Sequence, residues 1–218
     1  MRNKIIRFVL DILFPSFCVG CTTEGSVLCA ACRSAIVIQR IPTRPSGQSS
    51  LSMLYAATEY REQKTVSRLI GALKYHGAKG AAIHCADILK THLRLAQFAP
   101  QKNYIVIAVP LHKKRLRERG FNQAELIAKD IAAHYALPYA SRVLARALHT
   151  TPQTEVSESA KRLENVKGAF VCYNAKTVRG KYVMLIDDVT TTGATFEACA
   201  RALKAAGAKK IIACAIAK

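Results

Sequence analysis

The chain has 218 residues, of which half are apolar, and its 33 Lys and Arg against 14 Asp and Glu give a formal net charge of +19. This length allows one sizeable domain with a small appendage, and the apolar fraction is enough to build a core, which excludes a disordered chain. The charge predicts a polyanionic partner such as nucleic acid or an anionic membrane surface, with plain solubility as the alternative.

The amino-terminal segment Ile5–Phe14 is apolar at helical spacing and follows Arg2 and Lys4. Because Arg7 and Asp11 interrupt it and no small-residue cleavage site follows, a packed amphipathic helix is favoured over a signal peptide. Binding to a membrane surface is a weaker alternative. No segment of the sequence is long enough to span a bilayer, so we expect no membrane insertion and a cytoplasmic location.

The eight cysteines form two groups. Four of them follow the pattern C-x2-C-x7-C-x2-C, which suits a tetrahedral zinc ion with four thiolate ligands. Disulfides are the alternative, disfavoured in a reducing cytosol. Four sulfur ligands leave no open coordination position, so this zinc is expected to be structural. The zinc ligands are Cys18, Cys21, Cys29 and Cys32, and the cysteines expected in the core are Cys85, Cys172, Cys199 and Cys214.

Residues Arg40–Ser52 are rich in Pro, Ser and Gly and read as a linker or extended arm. We therefore expect a cysteine module with its linker over 1–45 and a larger domain over 46–218. In that domain, short apolar runs alternate with segments of helical periodicity, which predicts an α/β fold with a mostly parallel sheet. The predicted strands are Met53–Thr58, Tyr104–Val109, Arg142–Leu148, Gly168–Cys172, Lys181–Ile186 and Lys210–Ala217; the predicted helices are Gln63–Tyr75, Ala81–Gln97, Asn122–Ala136 and Thr195–Ala206.

A basic segment follows the strand Tyr104–Val109, where ligands of parallel sheets bind. Its cations can hold a pyrophosphate or a nucleic-acid backbone, and an aromatic ring can stack on a base. A solvated basic loop with Phe121 as a helix anchor is the alternative. The candidates for DNA binding are Lys74, Tyr75, Lys113, Lys114, Arg115, Arg117, Arg119 and Phe121.

The segment Thr150–Phe170 is long and polar for a loop within a compact domain. Loops of this length are often functional lids or disordered. The side chains of interest in this predicted lid are Gln153, Arg162 and Asn165.

The stretch Val183–Thr195 reads VMLIDDVTTTGAT: a buried strand, two adjacent acids and a small-residue turn that opens a helix. Carboxylates accept hydrogen bonds from vicinal hydroxyls, and a helix amino terminus favours a phosphate, so the pattern indicates a phosphorylated sugar. A buried strand with a surface acid pair and a capped helix is the alternative. The residues concerned are Asp187, Asp188, Thr190, Thr191, Thr192, Gly193, Ala194 and Thr195.

This stretch resembles the phosphoribosyl pyrophosphate (PRPP) motif of type I phosphoribosyltransferases, a Rossmann-like fold. The resemblance implies that Asp187 and Asp188 bind the ribose 2′- and 3′-hydroxyls, that the Thr and Gly loop binds the 5′-phosphate, and that Mg²⁺ accompanies PRPP. In an enzyme of this type, His112 and Lys113 would hold the pyrophosphate.

The chain as a whole resembles the ComF/GntX family of competence-associated, phosphoribosyltransferase-like proteins. The segments that carry this resemblance are LFPSFCVGC with CAAC, ALKYHG, VPLHKKRLRERGFNQAELIA, TPQT with RLENVKGAF, and LIDDVTTTGAT. One departure lies in the lid, where Glu155 and Val156 stand in place of an expected Gly and Leu.

The family resemblance implies a zinc-finger module joined to a PRPP-binding domain that handles single-stranded DNA in the cytoplasm during natural transformation. It also implies partners such as a competence helicase or ATPase and a recombinase-loading protein. The alternative function is an active phosphoribosyltransferase of nucleotide metabolism. No acceptor-base pocket is evident in the sequence, so turnover and the acceptor stay open.

Overall fold

A computed structural model of the protein describes residues 16–45, 49–74, 78–146 and 169–218. Several of the sequence predictions lie outside the described residues: the helix over Ile5–Phe14, the DNA-binding candidate Tyr75, and the lid residues Gln153, Arg162 and Asn165.

Strands and helices alternate along the described chain, as predicted. In chain order the elements are α1 (Ala30–Ser34), β1 (Met53–Thr58), α2 (Lys64–Leu73), α3 (Ala78–Leu95), β2 (Tyr104–Ala108), α4 (Lys113–Arg119), α5 (Gln123–His134), β3 (Leu144–Arg146), β4 (Phe170–Cys172), α6 (Ala175–Val178), β5 (Tyr182–Val189), α7 (Ala194–Ala205) and β6 (Lys210–Ala217). Among these helices, none is both long and apolar enough to cross a membrane.

Four parallel strands form the central sheet in the order β1-β6-β5-β2. β5 is an inner strand, pairing Ile186 with Ala108 of β2 and Asp187 with Ala215 of β6. The middle strands are buried on both faces, which is why they read as continuous apolar runs rather than as alternating ones. The predicted mostly parallel sheet is confirmed.

Two apolar layers cover the sheet. On one face α2, α3 and α5 pack through side chains such as Leu69, Leu89 and Ile131. On the other face α7 and the antiparallel β3–β4 pair pack through Phe196 and Phe170. Because helices cover both faces, a ligand can approach the sheet at the carboxyl ends of its strands, where the acid pair lies.

The sheet continues irregularly beyond β2. Tyr139 forms a parallel bridge with Val106, whose N–H donates to the carbonyl oxygen of Pro138 at 2.9 Å. The N–H of Ala140 donates back to the Val106 carbonyl at 2.9 Å. The segment that leads into β3 therefore follows the outer edge of β2.

The cysteine module packs directly on α2 and α3. Cys18 and Leu28 are buried in the same apolar cluster as residues of those helices. Arg68 of α2 donates to the carbonyl oxygen of Val19 at 3.4 Å, and Arg33 pairs with Asp87 of α3 at 3.4 Å. The module is thus attached to the sheet domain by burial as well as by polar contacts.

The segment after α1 is an extended arm held at several points. Thr43 pairs with Leu54 of β1, and the Nδ1–H of His92 in α3 donates to the carbonyl oxygen of Gln39 at 2.6 Å. Farther along, Glu197 of α7 accepts a hydrogen bond from the Ser49 hydroxyl at 2.7 Å. The interpretation of Arg40–Ser52 as an extended arm agrees with these contacts.

The basic segment, for which the sequence predicted no helix, forms the helix α4 over residues Lys113–Arg119. His112 caps its start, its Nδ1 accepting from the Lys114 N–H at 3.2 Å, and Gly120 ends it in the left-handed conformation with φ 76°. Lys, Arg, Leu and Glu are good helix formers, and their propensity together with the two caps outweighs the repulsion between neighbouring cations.

Other boundaries differ by a few residues. β3 begins at Leu144 rather than at the predicted Arg142, and the last two residues of the predicted strand lie outside the described chain. β5 runs to Val189 rather than ending at Ile186, so the two acids are still part of the strand. The short helices α1 and α6 were not predicted.

Candidate ligand-binding site

The two acids occupy the last positions of β5 before its final residue. The N–H of Asp188 donates to Oδ1 of Asp187 at 2.8 Å, and the N–H of Val189 donates to Oδ1 of Asp188 at 2.8 Å. The Asp188 residue is only 6% exposed. Each carboxylate is therefore oriented by the backbone and keeps its second oxygen for other partners.

The second oxygen of Asp188 meets polar groups from two helices. Gln123, the first residue of α5, donates from Nε2 to Asp188 Oδ2 at 3.2 Å. Lys74, which caps the end of α2, brings its Nζ to 3.8 Å from the same oxygen. Arg119 of α4 donates to Oε1 of Gln123 at 3.1 Å, so a chain of hydrogen bonds joins the basic helix to the acid.

Asp187 lies in a different electrostatic setting. Burial, and then the adjacent charge of Asp188, raise the pKa of Asp187 well above its ordinary value, although Lys74 acts in the opposite direction. Hydroxyl donors and a nearby cation would stabilise the charged form of such a carboxyl group. These are the groups that a ribose with an associated divalent cation presents.

The loop after β5 leads directly into α7. Thr190 is buried and its N–H donates to the Ala217 carbonyl at 3.0 Å, whereas Thr191, Thr192 and Thr195 are exposed. Since α7 has 12 residues, its amino terminus beside these hydroxyls forms a favourable place for a phosphate.

Gly193 is the residue before the first turn of α7, with φ 77°. A Cβ added there would meet nothing within 4 Å, so the glycine is needed for its left-handed backbone rather than for space. Ala194 begins the helix, and its N–H donates to the Thr192 hydroxyl at 3.3 Å.

The structure does not bring every candidate to the acids. Among the described residues, no hydrogen bond or ion pair joins His112 or Lys113 to Asp187 or Asp188. The ring nitrogen of His112 caps α4, and Lys113 lies at a cleft beside the outer edge of β2. Their predicted contact with pyrophosphate remains a prediction.

The basic helix α4 presents a cationic surface to solvent. It buries none of its residues, and Lys114, Arg115 and Arg117 are exposed. Phe121, which follows the helix, is partly buried and is therefore only partly available for stacking. The arrangement supports contact with a polyanion through charge more than through this ring.

Sequence reasoning missed Gln123 as a site residue. It lies in the quoted segment RGFNQ, one position after Asn122, whose side chain caps α5 and also donates to the Val109 carbonyl at 3.0 Å. An amide at the start of a helix that follows a strand end could have been noticed. Only the fold, however, shows that α5 begins beside the carboxyl end of β5.

The four predicted zinc ligands come together. Cys18, Cys21, Cys29 and Cys32 have sulfur atoms within 4.8 Å of one another. Tetrahedral zinc with Zn–S bonds of about 2.3 Å requires sulfur separations of about 3.8 Å, so small side-chain rotations would fit the ion. The remaining cysteines lie elsewhere, three of them buried in the core as expected and Cys172 partly buried.

The backbone around the cysteine cluster already favours thiolates. Burial would raise the pKa of Cys18, but hydrogen bonds from the backbone of Cys29, Cys21 and Gly20 lower it to about 6. The sulfur atoms of Cys21, Cys29 and Cys18 raise the pKa of Cys32 to about 12, because neighbouring sulfurs disfavour another negative charge. A divalent cation among them would reverse this effect.

Comparison with known proteins agrees with this geometry. The phosphoribosyl transferase domain family matches residues 71–218, which include the acid pair, the loop after it and the basic helix. The chain belongs to this family. The match begins within α2, so it does not include the cysteine module.

Individual relatives point to one branch of this family. The chain is 28% identical over 163 residues to competence protein F of Haemophilus influenzae, covering 74% of this chain and 65% of that protein. It is 25% identical over 198 residues to the DNA utilization protein YhgH of Escherichia coli K12, covering 90% and 86%. It is 34% identical over 108 residues to competence protein ComFC of Bacillus subtilis, covering 48% and 40%.

This chain spans slightly less than two thirds of the length of the Haemophilus influenzae protein. The names of these relatives confirm the predicted ComF family resemblance, and the four-cysteine cluster with the parallel sheet confirms the predicted fold class.

Proposed function

We propose that the acid pair and the loop after β5 bind PRPP. Asp187 and Asp188 accept hydrogen bonds from the ribose hydroxyls, while Thr191, Thr192 and the amino terminus of α7 hold the 5′-phosphate. The observation that carries this proposal is the acid pair at the end of a central strand, with one oxygen of Asp188 already held by Gln123 at 3.2 Å. A pre-oriented acid pair beside a helix terminus is what a phosphorylated sugar needs.

Lys74 supports binding of the pyrophosphate group. Its Nζ lies 3.8 Å from Asp188 Oδ2 and its side chain is 30% exposed, so it can reach a ligand seated over the acids. Mg²⁺ with PRPP would neutralise part of the phosphate charge, and the carboxylates of the site are the oxygen ligands this cation prefers.

We propose that the cysteine cluster holds a structural zinc ion through Cys18, Cys21, Cys29 and Cys32. Its thiolates need a reducing compartment, so we place the protein in the cytoplasm. The proposed division is a zinc module with its linker over 1–45 and a PRPP-binding domain over 46–218. Because the module packs on α2 and α3, the zinc would also stabilise the larger domain.

The biological role we propose is the handling of single-stranded DNA in natural transformation. The net charge of +19 and the cations of α4 support a polyanionic partner, and the printed names of the relatives are competence and DNA utilization proteins. A competence helicase or ATPase and a recombinase-loading protein are the protein partners we propose.

An active phosphoribosyltransferase of nucleotide metabolism is the second candidate, favoured by the family match over 71–218. A transferase reaction would break the C1–pyrophosphate bond as a base nitrogen attacks C1, and the pyrophosphate would leave with its electron pair. The protein would position both reactants and neutralise the leaving group, with Lys74, Lys113 and His112 as the available groups.

One experiment separates the two candidates. The full chain is incubated with PRPP, Mg²⁺ and candidate bases or oligonucleotides, and pyrophosphate release and PRPP binding are measured in parallel. Release that depends on an added acceptor would decide for the transferase. PRPP binding without release, together with salt-sensitive binding of a single strand, would support DNA handling with a PRPP site.

A further inference from the structure

A cleft of about 710 Å³ opens beside the outer edge of β2. Its walls come from α4, from α5 and from the segment 139–146 that follows the β2 edge. Because β5 pairs with the opposite edge of β2, the cleft is separated from the acid pair by a strand. The volume lies in the range of about 300–1,000 Å³ that is typical of small-ligand sites.

The floor of this edge cleft is apolar and its rim is cationic. Ile107, Leu111 and Leu144 contribute apolar surface. The exposed cations at the rim are Lys113, Lys129, Arg142 and Arg146. One acid, Glu125, also lines the cleft, but it pairs with Lys129 at 2.9 Å, so the net charge of the rim stays positive.

Tyr139 places an aromatic ring in this lining. The Nζ of Lys129 lies 5.7 Å from the centroid of the ring, so aromatic surface and positive charge occur side by side. An aromatic ring next to cations is the combination that binds a base together with its phosphate.

Arg142 adds an independent observation. Its φ is 56°, in the left-handed region that a long side chain rarely adopts. Strained backbone of this kind concentrates at ligand sites, where the fold maintains it for the sake of side-chain placement. Among the described residues, Arg142 and Lys113 have no acidic partner within 4 Å.

We propose that the edge cleft binds one nucleotide unit, with the base against Tyr139 and the phosphate among Lys113, Arg142 and Arg146. The unit is either a free nucleotide or one residue of a single strand, since both present the same base and phosphate. The strand version rests on the proposed DNA handling. The cleft shares Lys113 with the proposed pyrophosphate contacts, whereas Tyr139, Arg142 and Arg146 belong to the cleft alone. The cleft continues from α4, so a strand lying on that helix would reach it.

Fluorescence anisotropy tests this assignment with two labelled oligomers of equal length, an oligothymidylate and an abasic strand. Tyr139→Leu is expected to weaken binding of the oligothymidylate at least about fivefold while leaving binding of the abasic strand unchanged, because one stacked base contributes about 1–3 kcal/mol, or about 5- to 150-fold in affinity. Tyr139→Phe keeps the ring and should bind both oligomers like the wild type, which also controls for folding.

The cationic rim is tested separately. Arg142→Asn with Arg146→Gln should weaken the binding of both oligomers. Asparagine is suitable at position 142 because it tolerates the left-handed conformation. The matched control is Lys181→Gln with Lys209→Gln, which removes two exposed charges next to the amino ends of the inner strands β5 and β6. The control is expected to lose clearly less affinity than the rim variant.

Free thymidine 5′-monophosphate distinguishes the two sources of the nucleotide. Displacement of the oligomer from the wild type, but not from Tyr139→Leu, would support a site that accepts single nucleotides. A Tyr139 effect without displacement would support a site that requires the strand.

Two results would overturn proposals of different scope. If the oligomers bind but Tyr139→Leu equals the wild type and the rim variant equals its control, the edge cleft assignment fails alone. If neither oligomer binds the wild type at low salt, the proposed DNA handling fails as well. Binding of free thymidine 5′-monophosphate would then be measured directly by calorimetry, and its absence would overturn the cleft assignment too.

Discussion

Gln123 donates a hydrogen bond from Nε2 to Oδ2 of Asp188 at 3.2 Å, and its other amide atom accepts from Arg119 at 3.1 Å. The residue is 4% exposed, so its amide has a fixed orientation in which the donor faces the acid. A basic helix and a proposed sugar-binding carboxylate thus share one buried side chain.

Replacing Gln123 is expected to weaken PRPP binding. Gln123→Met keeps the length of the side chain but removes the donor, and a hydrogen bond to a charged group contributes about 1.5–3 kcal/mol, or roughly ten- to a hundredfold in affinity. Gln123→Glu should lose more, because it places a second charge beside Asp188. Calorimetric titration of each variant with PRPP and Mg²⁺ measures the loss. His134→Gln, at the exposed end of the same helix, should bind like the wild type.

Removing one cysteine ligand is expected to abolish the proposed zinc site. Cys29→Ser should reduce bound zinc from about one ion per chain to nearly none, since four thiolates complete the tetrahedron. The midpoint of thermal unfolding should also fall for the whole chain, because Cys18 and Leu28 belong to the apolar cluster that covers the sheet. Elemental analysis and calorimetry make the two measurements.

Cys172→Ser is the matched control for that experiment, because Cys172 lies outside the cluster and is also partly exposed. It should retain the metal. A Cys29→Ser chain that still carries the same zinc content as this control would show that the four cysteines do not form the site.

The cations of α4 are expected to govern the salt dependence of single-strand binding. Lys114→Gln, Arg115→Gln and Arg117→Gln together should flatten the plot of log affinity against log salt concentration by about 0.7 for each lost phosphate contact. The control removes three exposed lysines near the amino ends of the strands, Lys176, Lys181 and Lys209. Equal slopes for the α4 variant and the control would show that α4 is not part of the DNA-binding surface.

The buried His92 is expected to make stability depend on pH. Burial lowers the pKa of His92, although its hydrogen bond to the Gln39 carbonyl acts in the opposite direction. The folded state therefore favours the neutral ring, whereas the unfolded chain takes up a proton below about pH 6.5. The free energy of unfolding should thus be highest above that pH and fall as the pH is lowered through it, by at most about 1.4 kcal/mol per pH unit.

His92→Phe isolates this effect, because it keeps an aromatic ring against Tyr55, whose centroid lies 5.9 Å from the His92 ring. Denaturant unfolding of both chains at pH 7.5 and pH 5.5 gives the comparison, and proton competition at the cysteines affects the two chains alike. If both lose the same free energy on acidification, His92 is not the titrating group.

Much of the fold followed from pattern alone. The strands Met53–Thr58 and Lys210–Ala217 were predicted to the residue, because buried parallel strands are continuous apolar runs between clear breaks. The helix α4 was not predicted, because it buries no side chain and therefore shows no apolar periodicity. It forms because its residues have high helix propensity and because His112 and Gly120 cap its ends. Periodicity cannot reveal such a helix.

The site followed the same division. The acid pair and the cysteines carry their chemistry within short, recognisable spacings, so the sequence identified them. Gln123 lies 65 positions from Asp188 and meets it only because α5 begins beside the carboxyl end of β5. Lys74 was predicted for DNA, yet its ion pair with Asp188 joins it to the acid pair. Contacts of this range depend on topology, which no local pattern contains.

The most direct test of the central claim is calorimetric titration of PRPP with Mg²⁺ into the wild type and into a chain carrying Asp187→Asn and Asp188→Asn. Because burial and Asp188 raise the pKa of Asp187, its charged form costs stability above the ordinary pKa of an aspartate, so replacement of this acid should not unfold the chain. A control chain with Glu24→Gln and Asp87→Asn loses two acids from the cysteine module and from α3, the helix it contacts. We predict saturable binding to the wild type and to the control, and none to the double asparagine chain. Equal affinity in all three chains would contradict a PRPP site at the end of β5.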